Sequence, residues 1–143
     1  VYPNPDADKE HHSFTWSIAP HEGGWREGNT VAKAYVLNNP YQTAVKENEG
    51  GNLPASYSFV QADKENVVIE AVKKAEDSDA VIVRLYECYN RRGQTTLTFP
   101  RPVKRAVICN MLEEETGEVL NVNGSQVELE LKPYEIETVK VEF

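Results

Sequence analysis

The chain has 143 residues, 40% of them hydrophobic, enough for one domain whose core needs neither disulfides nor a metal. Its net charge of −8 and pI near 4.9 argue against a nucleic-acid or anionic-membrane partner, because phosphate contacts rely on clustered Lys and Arg. No apolar run approaches the roughly 18 residues of a membrane span, and no basic start leads into an apolar signal segment.

The first residue is Val1, not Met, and the opening VYPNPDAD reads as the middle of an extended segment, so an excised domain of a larger protein is expected. Residues 1–11 form that extended lead-in, with Pro3, Pro5, Asp6 and Asp8 disfavouring regular structure. Phe14, Trp16 and Ile18 alternate with Thr15, Ser17 and Ala19, the period of a half-buried strand ended by Pro20. After Gly23 and Gly24 the period lengthens: Val31, Ala34, Tyr35 and Asn38 share one helical face, which predicts a short helix over 27–37 stopped by Asn38, Asn39 and Pro40. Residues 42–54 read as a polar loop.

From there the signals are those of strands. Residues 57–61 form a short one. Residues 67–89, VVIEAVKKAEDSDAVIVRLYECY, hold two β-branched runs around a charged, solvated turn and read as the central strand pair of the domain. Residues 94–99 follow, then 103–112, apolar on both faces and so interior, then a solvated turn at 113–117. The dipeptide Asn123-Gly124 between 118–122 and 127–131 marks a hairpin with a primed turn, and Ile136, Val139 and Val141 begin the last strand. Strands at this spacing with one interposed helix give a mainly β fold, an antiparallel β-sandwich of about 7–9 strands forming a single domain over 1–143.

Self-contained chemistry is scarce. His11, His12 and His21 lack zinc-site spacing, and Asp6 and Asp8 lack a calcium-loop pattern. The serines have no GxSxG turn, and neither Cys88 nor Cys109 sits in an electropositive, glycine-rich setting. Both cysteines lie in apolar runs and read as free buried thiols, which favours a reducing, cytoplasmic compartment. Trp16, Trp25, Tyr41 and Tyr57 are core candidates, with a sugar-stacking platform as the alternative. Arg84 and Glu87 interrupt apolar runs and are expected to be paired at the sandwich surface or at an interdomain face.

Several segments, in collinear order, resemble one family. His12-x-Phe14-Thr15, Pro20-His21-x-Gly23-x-Trp25-Arg26-Glu27 and Ala34-Tyr35-x-Leu37-Asn38-Asn39-Pro40 are similar to the C-terminal region of family 38 glycoside hydrolases, the retaining α-mannosidases. So are residues 70–77 (EAVKKAED), residues 82–87 (IVRLYE) and the terminal Leu131-x-Pro133-Tyr134-Glu135-Ile136-Glu137-Thr138. The resemblance implies a C-terminal β-sandwich domain of a zinc-dependent α-mannosidase whose zinc ion, ligands and nucleophile lie in an N-terminal catalytic domain. No catalytic residue and no metal site is carried over to this chain. Its implied partners are that catalytic domain and, through it, an α-mannoside substrate. Asp8, His12, His21 and Trp25 are the residues expected nearest the missing domain, as substrate-cleft rim or interdomain contact. A stand-alone carbohydrate-binding module and a pure interaction domain are the competing readings.

Overall fold

The computed structural model describes residues 4–5, 7–45 and 50–143, with Glu118 described through its backbone alone. The predicted segments therefore lie partly outside the described residues at 1–3, Asp6 and 46–49. Two compact units are present, Val1–Tyr41 and Gln42–Phe143.

In the first unit, Ala7 N–H donates to Asn4 O (3.1 Å), closing a turn within the lead-in. The helix α1 spans Thr30–Asn38, later than its apolar period suggests. The chain first makes a tight loop: Gly28 N–H donates to Gly24 O, Asn29 N–H to Arg26 O and Thr30 N–H to Trp25 O, each at 3.0 Å. The predicted stop holds, with Asn39 N–H donating to Tyr35 O (2.9 Å) and the Asn38 and Asn39 side chains capping Ala34 O and Tyr35 O. The strand expected at 14–18 is not formed. Phe14, Trp16 and Ile18 are 81%, 70% and 79% exposed, because among the described residues no second strand in this unit is there to cover them.

The second unit is the β-sandwich. Its nine strands are β1 (Gln61–Ala62), β2 (Val67–Lys74), β3 (Val81–Glu87), β4 (Gly93–Thr98), β5 (Arg105–Cys109), β6 (Glu115–Val119), β7 (Asn121–Asn123), β8 (Gln126–Leu131) and β9 (Ile136–Glu142). One sheet runs β1-β4-β8-β7 and the other β2-β3-β9-β5-β6, with every pairing antiparallel. Strand β8 shows why the sheets face each other. Val127, Leu129 and Leu131 are buried while Gln126, Glu128 and Glu130 are exposed, so only one face can leave water. Between the sheets Val83, Leu85, Leu97, Phe99, Ala106, Val127, Leu129, Leu131, Val139 and Val141 form one core.

The 67–74 and 81–87 strands pair as expected, but they are not central. β2 is an edge strand with a register irregularity between Ile69 and Ala71, and β9 occupies the middle of its sheet. Of the 57–61 segment only Gln61 enters a strand, β1, which continues to Ala62. Where β1 stops, the Asp63 carboxylate takes over, accepting from Thr96 N–H (2.8 Å) and Thr95 Oγ1 (2.9 Å).

The run 103–112 is interior only as far as Cys109. Met111 and Leu112 are 65% and 78% exposed at the tip of a turn closed by Glu113 N–H to Asn110 O. The 113–117 segment is not simply solvated, since Glu113 is buried and β6 begins at Glu115. At the Asn-Gly hairpin, Asn123 pairs with Gln126, so the two loop residues are Gly124 and Ser125. Of these only Gly124 takes a positive φ, +61°, as the first position of a II′ turn requires.

Leu85 lies fully inside the core. Leu85→Ala should lower the unfolding free energy by about 3 kcal/mol in a urea titration, through lost burial and a residual cavity. Met111→Ala, at an exposed turn, should change it by less than about 0.5 kcal/mol.

Candidate functional site

Of the four residues singled out in the first unit, two meet locally. His12 Nε2–H donates to Asp8 O (3.2 Å), where Asp8 itself takes a positive φ of 58°. His21 Nδ1–H donates to Glu22 O (3.1 Å), and its ring lies so close to Gly28 that a Cβ there would meet it at 2.4 Å. That contact explains the glycine in GGWREGN. Trp25 is 38% exposed, with the Arg26 guanidinium carbon 4.3 Å from its ring centroid. Among the described residues no group of three or more His, Cys, Asp or Glu stands close enough to hold a metal ion.

The second unit carries charge clusters of which the sequence singled out only Glu87 and Arg84. Glu87, at the end of β3, is 1% exposed and is held by neutral donors. Its Oε1 accepts from Asn66 Nδ2 (2.8 Å) and Tyr89 N–H (2.7 Å), and its Oε2 from Tyr134 N–H (3.0 Å). Burial by itself would raise its pKa. The Tyr134 amide, the Asn66 side chain and the Tyr89 and Arg91 amides outweigh this and hold the carboxyl below its ordinary value. Glu87 is thus paired, as expected, but it is buried and its partners are neutral donors. Arg84, half-buried, donates from Nε to Thr138 Oγ1 (3.2 Å).

The charged turn after β2 likewise draws partners from far along the chain. Glu113 Oε1 accepts from Lys73 Nζ (2.7 Å) and its Oε2 from Glu76 N–H (2.9 Å). Lys140, nearly buried on β9, reaches Asp77 at 2.9 and 3.2 Å. Beneath them Ala75, Ala80 and Ile82 make a second small apolar cluster. Arg105 joins β5 to its neighbours, gripping Glu115 with both terminal nitrogens (2.8 and 2.6 Å) and Glu142 with one (3.2 Å). Each of these carboxylates is engaged by a protein donor, so none is poised as a free acid or base. Cys88 and Cys109 are buried free thiols, and burial pushes both thiol pKa values up, away from nucleophilic reactivity.

What the geometry offers is thus a scaffold, and sequence comparison places it. Residues 66–139 match the model of the glycosyl hydrolases family 38 C-terminal beta sandwich domain. The chain belongs to this family. The matched residues lie entirely within the second unit. Similarity to longer proteins extends across both units. Alpha-mannosidase G of Dictyostelium discoideum is 30% identical over 96% of the chain. Alpha-mannosidase 2C1 of Homo sapiens is 29% identical over 94%, and its Mus musculus counterpart 28% over 96%. The chain spans 13% of the length of each of these relatives. Among the described residues no helix is long and apolar enough to cross a membrane.

Within this family 38 sandwich, Glu87 offers the most direct test. Glu87→Gln turns at least one bound N–H toward an amide NH₂ and should cost about 3 kcal/mol in chemical denaturation. Because the folded carboxyl titrates below its unfolded value, its contribution is complete above the ordinary glutamate range. It is lost as pH falls through the lower folded value. Acidification should accordingly narrow the stability gap between wild type and E87Q.

Proposed function

We propose that the chain is the C-terminal portion of a retaining, zinc-dependent, cytoplasmic α-mannosidase, in which it is structural and packs on a separate catalytic domain. The observation that carries this reading is the similarity of 94–96% of the chain to proteins named alpha-mannosidase, of which it spans only 13%. Retaining glycoside hydrolysis needs a carboxylate free to attack the sugar and a second to transfer the proton. The two most buried carboxylates here, Glu87 and Glu113, are each occupied by protein donors. Zinc is proposed to belong to that catalytic domain, as the family resemblance implies. Asp8, His12, His21 and Trp25 remain the residues proposed to face that domain and the rim of its cleft. A reducing compartment fits the two unpaired buried thiols.

A second reading, a stand-alone carbohydrate-binding module, is favoured by one observation: Trp16 is 70% exposed and Trp25 38%. The two readings separate in solution. Under the first, the 143-residue chain should neither hydrolyse an aryl α-mannoside in the presence of zinc nor show saturable mannose binding by calorimetry. The longer polypeptide should hydrolyse the same substrate, lose activity on chelation and regain it with zinc. Robust turnover by the 143-residue chain would overturn the first reading, and saturable mannose binding by it would support the second.

A further inference from the structure

The segment around Trp16 has the sequence of a strand and the environment of none. Phe14, Trp16 and Ile18 point one way by period two, Thr15 and Ser17 the other, and no residue from 9 to 20 takes a positive φ. Yet among the described residues 13–19 make no backbone hydrogen bond, and their three large apolar side chains are 70–81% exposed. Backbone N–H and C=O groups in an apolar, β-patterned stretch are ordinarily paired in a ladder. A strand-forming sequence without a ladder is the donor half of strand addition, in which backbone bonds give affinity and alternate side chains fill an apolar face.

Where its acceptor lies is indicated by the two comparisons taken together. The family's sandwich model covers 66–139 and leaves the first unit out, whereas the longer relatives match both units. The first unit is therefore common to the longer proteins without being part of the sandwich domain. We propose that residues 13–19 are a β-strand of the preceding module. In this reading they pair with an edge of its sheet and insert Phe14, Trp16 and Ile18 into its apolar face. This rests on the proposal above that the chain continues into a larger polypeptide.

Hydrogen–deuterium exchange on the longer polypeptide and on the 143-residue chain tests it. In the 143-residue chain the amides of 14–18 should exchange at the rate of unstructured peptide. In the longer polypeptide, all of them or every second one should be slowed on the order of 100-fold. The triple variant Phe14→Ser, Trp16→Ser, Ile18→Ser should lower the melting temperature of the longer polypeptide and leave that of the 143-residue chain unchanged. Equal exchange at 14–18 in both forms overturns the proposal even if the triple variant destabilises, because covering the side chains is not strand pairing. Protection already present in the 143-residue chain overturns it as well. The activity of the longer polypeptide reads the functional proposal separately. A protected strand in an inactive protein sinks the α-mannosidase reading alone, and unprotected amides in an active one sink the strand alone.

Discussion

Glu87 puts a carboxylate where N–H groups from three separate segments would otherwise face one another. Asn66 belongs to the connection into β2, Tyr89 and Arg91 to the turn after β3, and Tyr134 to the turn before β9. Repulsion among those dipoles, left without an acceptor, would splay one end of the sandwich. With the acceptor present, β2, β3 and β9 leave that end in fixed register, and Cys88 N–H and Glu87 N–H close on Asn66 O and Glu135 O. The negative charge is held by these neutral donors, whose dipoles substitute for solvent at short range. At the opposite end the same problem is solved differently, by lysines: Lys73 meets Glu113 and Lys140 meets Asp77, so two connecting segments are fastened across one sheet.

Most of the sandwich was legible because its information is local. Val127, Leu129 and Leu131 alternate with charged neighbours, and Val81–Leu85 concentrates β-branched residues, so burial on one face follows from the residues themselves. Strand order was not legible, because β2 and β9 look equally apolar along the chain while only β9 receives neighbours on both sides. Glu87 was legible as a charge that needed a partner, but its partners Asn66 and Tyr134, like those that Glu113 and Lys140 find in Lys73 and Asp77, lie 21 to 63 positions away and no spacing rule connects them. For Lys140 the one available signal was its place inside the apolar run of β9. The Phe14–Ile18 stretch failed in the opposite sense: its local pattern was strong, and the missing part was the neighbour.

The division of labour that emerges is between a sandwich whose polar groups are internally consumed and a first unit that presents unused apolar and aromatic surface. Family 38 membership attaches to the former and similarity to whole α-mannosidases to both. A fold of this kind does not by itself specify a chemistry. The candidate residues Asp8, His12, His21 and Trp25 all fall in the first unit.

The irregular register of β2 has a colloidal consequence. A long straight edge strand templates other chains and seeds aggregation, and β2, at eight residues, is long enough to do so. The slip between Ile69 and Ala71 bends its outer rim, and Lys73 and Lys74 place cations along it. Together with the overall charge of −8, this should keep the sandwich dispersed at high concentration. Any tendency of the chain to clump would then trace to its first unit.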